Sequence, residues 1–171
     1  MAITFHSNGD VTGSGASNFG SSGQILQVKT DTRTGSHVDV SHPSTEVTSF
    51  GANLEVSITF HSTSNKFIVS CFIPDIYNMA VANTAMHGGF SYSTNNFSSK
   101  SILGGASIIS DYISWQGTPA DLNEATYTTS GNCPTTSAIT IRPHFTTVNG
   151  QIRMMANSVG YAHLTVMEIK A

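Results

Sequence analysis

The sequence predicts an all-β domain built as a sandwich or barrel, and three observations support this fold class. Charged residues make up only 10% of the 171 residues, against about 25% in an average globular protein. Ser, Thr, Asn and Gly take their place, and these residues suit pleated faces and turns. Short apolar segments recur between Gly, Asn and Pro residues, which is the spacing of sandwiches and barrels.

The N-terminal region predicts a short docking arm and tether over residues 1–23, followed by the β-domain over residues 24–171. Ala2, Ile3, Thr4 and Phe5 form one short strand, and Gly, Ser and Asn dominate the sequence after it. A lone strand leaves its backbone groups unpaired. We therefore expect these four residues to dock by adding to the sheet of another protein, with a frayed terminus as the alternative.

The centre of the domain is predicted in residues 53–73. Strict alternation of apolar and polar residues from Asn53 to Phe60 predicts a half-buried strand. The segment Phe67–Ile73 is apolar on both faces, which predicts a strand buried on both sides. With the polar turn His61–Asn65 between them, we expect the two strands to pair as a hairpin and to place Phe72 in the core.

The other predicted strands are shorter. They cover residues 23–30, Gly89–Ser93, Ser107–Trp115, Ala125–Thr129, Ala138–Phe145 and Tyr161–Ile169. Pro119–Thr126 has the proline and acidic residues of a helix start, so one helical turn is expected there. The segment Asp75–Met86 is either one helical turn or a long loop.

Charge and hydropathy exclude two classes of partner. The net charge is −3 and the seven Lys and Arg are scattered, whereas nucleic-acid binding needs a clustered cationic face. The longest apolar segment, near Phe67–Ile73, is much shorter than the roughly 20 residues that cross a bilayer. The opening sequence MAITFHSNGD lacks the charged and apolar regions of a signal peptide, so synthesis in a cytoplasm is expected.

Catalytic and metal-binding motifs are missing from the sequence. The seven His residues have no metal-ligand spacing, so no metal and no cofactor are expected, although a threefold axis could bring copies of one His together. No nucleophile motif occurs, and the acidic residues fit turns and caps. The prediction is that the protein is not an enzyme. Cys71 fits the core and Cys133 a loop, and a bridge between them is left open.

Three aromatic residues are candidate contacts to a glycan or to another subunit: Tyr92, Tyr112 and Trp115. An exposed aromatic ring can stack on the C–H face of a sugar. The same side chains also dominate cores and interfaces, and for Trp115 the core or a subunit interface is the favoured interpretation.

Three stretches of the sequence resemble a known family. GQILQV, LEVSITFHSTSNKFIVSC and AHLTVMEIKA are similar to segments of fibre-like or knob virion proteins of marine tailed phages. The resemblance implies a jelly-roll-type antiparallel β-sandwich, usually a homotrimer, at a fibre tip or projecting knob. It supplies no catalytic residue and no axial metal.

The length refines what this resemblance implies, because a long shaft is not expected before the domain within these 171 residues. We expect a structural protein of a tailed-phage virion: a short trimeric fibre, knob or head-decoration protein docked by its N-terminal arm. Its partners would be other copies and other virion proteins of the capsid or tail, in a particle assembled in the host cytoplasm. The alternative is a host-surface carbohydrate-binding, receptor-binding module of a tail fibre.

Overall fold

The structure is a computed structural model. It describes residues 3–5, 11–13, 22–35, 37–41, 54–78, 84–104, 111–115, 122–147, 151–155 and 161–171. Every regular element among them is a β-strand, and none of these residues forms a helix long and apolar enough to cross a bilayer.

Thirteen strands are present in the described residues. In chain order they are β1 (Ile3–Phe5), β2 (Val11–Gly13), β3 (Ile25–Arg33), β4 (Val38–Ser41), β5 (Val56–Ile58), β6 (Lys66–Asn78), β7 (Thr84–Ser93), β8 (Ser101–Ile102), β9 (Asp111–Trp115), β10 (Leu122–Asn132), β11 (Ile139–Thr147), β12 (Gln151–Met154) and β13 (Ala162–Ile169).

A six-stranded antiparallel sheet is organised around the long strand β6. Strand β10 pairs with one edge of β6 along most of its length. On the other edge, β13 pairs with the first half of β6 and β12 with its end, and these two strands continue to β3 and β4. Strand β6 therefore has one partner, β10, on one edge and two partners, β13 and β12, on the other edge.

A five-stranded antiparallel sheet forms the second layer. Its order is β5-β11-β7, and β8 and β9 pair side by side with the far edge of β7. Side chains of both sheets, such as Val69 on β6 and Ile141 on β11, belong to one buried apolar cluster. The predicted all-β fold with two antiparallel sheets is therefore confirmed, and the jelly-roll connection order stays a prediction.

The predicted hairpin of residues 54–73 is wrong. Strand β5 pairs with β11 in the five-stranded sheet, whereas β6 lies in the six-stranded sheet. The intervening segment crosses from one layer to the other, and the rings of Phe60 and Phe67 meet at 6.4 Å where it does so. Alternation predicts correctly that Leu54, Val56 and Ile58 are buried, but it does not specify the partner strand.

Strand β6 is buried on one face only, which corrects a second prediction. Phe67, Val69, Cys71 and Ile73 point into the core, while Phe72 is half-buried on the opposite face. The outer face of β6 belongs to the exposed side of its sheet. Phe72 is therefore absent from the core, and removing its ring should cost less than the usual core penalty.

A β-bulge after Ile73 changes which residues of β6 point into the core. Asn123 pairs with Ile76 and Ala125 with Ile73, so β6 contains one more residue than β10 in this interval. Asp75 has a φ of 52° there, a left-handed conformation that suits a bulge and that Asp tolerates. Both Ile73 and Ile76 are fully buried as a result, although three positions separate them.

The predicted helical turns lie partly in strands. Residues 75–78 and 84–86 belong to β6 and β7, and residues 122–126 belong to β10. Those portions of the helical prediction are wrong. Residues 79–83 and 119–121 lie outside the described part of the chain.

Gly88 on β7 permits a close approach between the two sheets. A Cβ at Gly88 would lie 2.4 Å from ring carbons of Tyr127 on β10. Tyr127 is buried and its ring contacts that of Phe145 edge-on at 5.5 Å. The absence of a side chain at Gly88 therefore provides the volume that the Tyr127 ring occupies.

Gly88→Ala should lower the free energy of unfolding by about 1–3 kcal/mol, because the added methyl group overpacks the core against a rigid ring. Chemical denaturation measures this loss. Gly131→Ala is the matched control, because its Cβ would lie 3.2 Å from the nearest Phe67 atom and needs only a small shift. Equal stability losses in the two variants would contradict the assignment of Gly88 as the tight contact.

Candidate functional site

Glu168 is a buried carboxylate at the corner of the sandwich. It lies near the end of β13 on the face that also carries Leu164 and Val166, and its side chain has no exposed surface. Oε1 accepts hydrogen bonds from the backbone N–H of His61 at 2.9 Å and from Nδ2 of Asn65 at 2.6 Å. Oε2 accepts from Nε2 of Gln27 at 2.6 Å and contacts Nδ1 of His61 at 2.8 Å. Each oxygen therefore has two partners.

These contacts join three separate parts of the chain. Gln27 lies on β3, Glu168 on β13, and His61 and Asn65 lie in the segment that crosses between the two sheets. The Gln27 amide also donates to the carbonyl of Thr59 at 2.8 Å. The carbonyl of Asn65 accepts from the N–H of Cys133 at 2.9 Å, so the crossing segment is also attached to the chain that follows β10.

The surroundings of Glu168 keep it ionised. Burial alone raises the pKa of a carboxyl group, but hydrogen bonds from Asn65, Gln27 and His61 outweigh burial and hold the pKa of Glu168 below its usual value. An ionised carboxylate only accepts hydrogen bonds, so Nδ1 of His61 carries the proton in this contact. A carboxylate held in this way is a poor proton donor near neutral pH. We therefore interpret Glu168 as a structural group, and the absence of enzyme activity stays a prediction.

The outer face of the six-stranded sheet carries a block of uncharged side chains. Three rows cross the strands β3, β13, β6 and β10 in register, and none contains Asp, Glu, Lys or Arg. The rows are Val28, Met167, Ile68 and Ser130; Thr30, Thr165, Ser70 and Thr128; and Thr32, His163, Phe72 and Thr126. The residues on the two outer strands β3 and β10 are exposed, and most of those between them are half-buried.

Hydroxyl groups and aromatic rings occupy distinct parts of this face. The middle row consists only of Thr and Ser, and Thr128 donates to Ser70 at 3.3 Å. His163 belongs to the third row, and its ring forms a tilted pair with the ring of Tyr161, with centroids 6.4 Å apart. Tyr161 is 56% exposed, the highest fraction among the large apolar and aromatic side chains that are described.

The outer face of the five-stranded sheet has a different character. Arg142 on β11 forms an ion pair with Glu55 at 2.6 Å, and its guanidinium carbon lies 4.0 Å from the centroid of the Phe97 ring. Phe97 belongs to the turn between β7 and β8 and has a φ of 62°. Hydrogen bonds from the N–H groups of Asn95 and Phe97 to Oγ of Ser93 hold this turn. The Arg142 guanidinium is engaged by a carboxylate and by an aromatic ring, so this side chain is not an open cationic site.

The predicted site residues lie in several places. Ile3, Thr4 and Phe5 form β1, which pairs with β2 of the same arm in a separate two-stranded sheet. Ala2 lies outside the described residues. The expectation that this strand is unpaired within its own chain is therefore wrong.

The three candidate aromatic contacts are not grouped. Tyr92 is half-buried and packs against the core cluster. Tyr112 and Trp115 lie on β9, but their side chains lie outside what the structure describes. Their role in contacting a glycan or a subunit stays a prediction. Tyr161 and His163 were not predicted as contacts, although their spacing of two residues on a strand places both on one face.

The two cysteines are free and buried. Burial raises the pKa of the Cys71 thiol, and burial together with the charge of Glu168 raises the pKa of Cys133 to about 11. Within the described residues, no group of three or more His, Cys, Asp or Glu side chains is placed to hold a metal ion.

Comparisons with known proteins give limited similarity. No family model and no curated protein matches the chain. Among solved structures, the chain is similar to one from the crystal structure of the T13 particle of infectious bursal disease virus, with 10% identity over 88% of this chain and a TM-score of 0.42. It is also similar to one from the Gx strain of that virus, with 10% identity over 86% and a TM-score of 0.34.

In both cases the match covers 37% of the viral chain. Likeness at this level does not establish a shared fold or function. The resemblance to fibre-like proteins of marine tailed phages stays a prediction.

The Glu168 contacts predict a specific pH dependence. Because folding lowers the pKa of Glu168 below the usual 4.5, its stabilising effect is complete above that pH and is lost as the pH falls through the lower folded value. Glu168→Gln should lower the free energy of unfolding near pH 7 by about 2–4 kcal/mol, since an amide places a donor against existing donors. Denaturant unfolding between pH 7 and about pH 3 should show a flatter acid limb for this variant.

Asp39→Asn is the matched control. The hydrogen bond from Arg153 also lowers the pKa of Asp39, but this ion pair lies at the surface and should stabilise the protein much less. If Glu168→Gln and Asp39→Asn had the same small effect at neutral pH, the Glu168 contacts would not hold the corner.

Proposed function

We propose that the protein is a structural component of a tailed-phage virion: a short trimeric fibre, knob or head-decoration protein that docks through its N-terminal arm. The observation that carries this proposal is the separate β1–β2 sheet. Its two strands pair only with each other among the described residues, and neither joins the sheets of the sandwich.

An isolated sheet of this size needs a partner. Each of its strands has three residues, and a two-stranded hairpin is marginally stable in water, whereas three or more strands support one another. Both strands have an outer edge with backbone groups that can pair with a further strand. Addition to the edge of a neighbouring sheet supplies main-chain hydrogen bonds without requiring charged side chains.

The junction between arm and sandwich supports independent folding of the two parts. The N–H of Gly23 donates to the carbonyl of Lys170 at 2.8 Å, and the N–H of Lys170 donates to the carbonyl of Gln24 at 2.8 Å. These bonds attach the chain to the sandwich directly after the Gly- and Ser-rich stretch. Among the described residues, the pairing of the sandwich thus begins where the Gly- and Ser-rich sequence ends, so we expect the arm to dock while the sandwich projects from the partner.

Trimeric association is the second part of the proposal. With charged residues at 10% of the sequence and a net charge of −3, the repulsion between like subunits is small. Closed symmetric assemblies bury such uncharged surface repeatedly, using the same contacts in each copy. Other virion proteins of the capsid or tail would form the surface on which the arm docks.

The trimer should have a mass of about three times the 18.1 kDa of one chain. Size-exclusion chromatography with light scattering at micromolar concentration measures it directly. A monomer or dimer under these conditions would overturn the trimeric assignment and leave the docking role to be judged separately.

Deletion of residues 1–22 should leave the sandwich folded and prevent its incorporation into particles. Among the described residues, the first backbone hydrogen bond that attaches the chain to the sandwich is at Gly23, so we expect the sandwich to keep its pairing without residues 1–22. The particle loses the paired strands of the arm. Thermal melting of the isolated truncation, together with mass spectrometry of particles purified from phage that carry the truncated gene, tests both parts.

A matched pair of proline substitutions refines this test. Thr4→Pro removes a backbone N–H in the middle of β1, whereas Ser17→Pro places the same residue in the Gly- and Ser-rich stretch. We expect Thr4→Pro alone to reduce incorporation strongly. Normal incorporation of the truncation, or equal loss in both proline variants, would rule out strand docking.

A further inference from the structure

Three aromatic residues of the six-stranded sheet, two exposed and one half-buried, lie together at one end of its outer face. Tyr161 precedes β13 directly, and His163 follows two positions later on the same face. Phe72 is the neighbour of His163 on β6, and Thr126 is the neighbour of Phe72 on β10. Thr32 lies on the other side of His163 on β3. These five residues are called the aromatic patch below.

The ring of His163 has a fixed position in the aromatic patch. Its Nδ1 lies 3.1 Å from Oγ1 of Thr32, and its ring pairs with that of Tyr161 at an interplanar angle of 31°. No hydrogen bond engages Nε2 among the described residues. The patch therefore offers two ordered rings and a ring nitrogen that can still exchange a hydrogen bond.

The chemistry of the aromatic patch selects an uncharged ligand with both apolar and hydroxyl surface. Neither this row nor the two uncharged rows on one side of it contains Asp, Glu, Lys or Arg. On its other side, the exposed Glu124 lies two positions before Thr126 on β10, and its carboxylate repels a phosphate, a sulfate or a uronic acid. Aromatic rings pack on the C–H face of a sugar. Thr32 and Thr126 are exposed beside the rings and can donate to or accept from sugar hydroxyls.

The size of the face argues against a second copy of the chain as its occupant. Four strands about 4.8 Å apart and three rows about 7 Å apart cover roughly 400 Å². A stable subunit interface buries about 800 Å² on each partner. A chain of two or three sugar units fits the smaller area.

We propose that the aromatic patch binds a neutral polysaccharide, with Tyr161 and His163 as the stacking surface and Thr32 and Thr126 as hydrogen-bonding partners. This binding goes beyond the structural role proposed above and gives the projecting sandwich a contact to a carbohydrate surface. It uses the exposed sheet face and not the N-terminal arm.

Native gels cast with dextran, soluble starch, mannan or galactan test the proposal, with alginate as the anionic comparison. At least one of the four neutral polysaccharides should retard the full-length protein. Tyr161→Ala should weaken this interaction about tenfold, as expected for the loss of one stacking contact. Tyr161→Phe should retain it because the ring is kept. Val28→Ala is the matched control, since Val28 is 49% exposed on the same face but two rows away.

Four results would overturn the proposal. Three of them come from the gels: no retardation by any neutral polysaccharide, retardation by alginate only, or equal retardation of Tyr161→Ala and the unmodified protein. The fourth is a change in the oligomer mass of Tyr161→Ala in light scattering. The last result would identify Tyr161 as a subunit contact. Melting temperatures of all variants confirm that the fold is intact. Because these measurements use isolated protein, their failure is distinct from a failure to incorporate into particles.

Discussion

The buried charge of Glu168 is the constraint on which the arrangement of the two sheets depends. A carboxylate without exposed surface is stable only if its oxygens are fully hydrogen-bonded, and the donors come from β3 and from the segment between the sheets. Satisfying the charge therefore fixes the position of that segment. Once it is fixed, Phe60 and Phe67 meet at the sandwich edge and the alternating residues of both strands face one core.

The core accommodates irregular backbone at positions where regular pairing would misdirect side chains. The bulge at Asp75 lets Ile73 and Ile76 both point inward, and Gly88 leaves space for the ring of Tyr127. Both features serve the contact between layers, since a regular β6 would have directed Ile76 outward and any side chain at position 88 would have displaced that ring. Packing between the sheets thus determines the local backbone as much as strand propensity does.

Sequence patterns predicted the strands better than their partners. The alternation from Leu54 to Phe60 identified a buried face correctly, and the spacing of short apolar segments identified the fold class. The pattern failed at the hairpin because a turn of five polar residues can connect strands of one sheet or cross between two. The prediction for Phe72 failed because a continuous apolar run does not show which face of the strand packs against the other sheet. The position of Glu168 could have been predicted from the sequence. It follows Leu164 and Val166 at intervals of two residues on β13, so it points to the same buried face and is a charged residue at a core position.

The two buried thiols have a consequence for the chemical reactivity of the folded chain. With the pKa of Cys133 near 11, only about one thiol in ten thousand is a thiolate at neutral pH, and the more deeply buried Cys71 is less reactive still. Thiolate is the form that attacks disulfides and reacts with oxidants. Both thiols therefore react slowly with oxidants and disulfides as long as the sandwich stays folded.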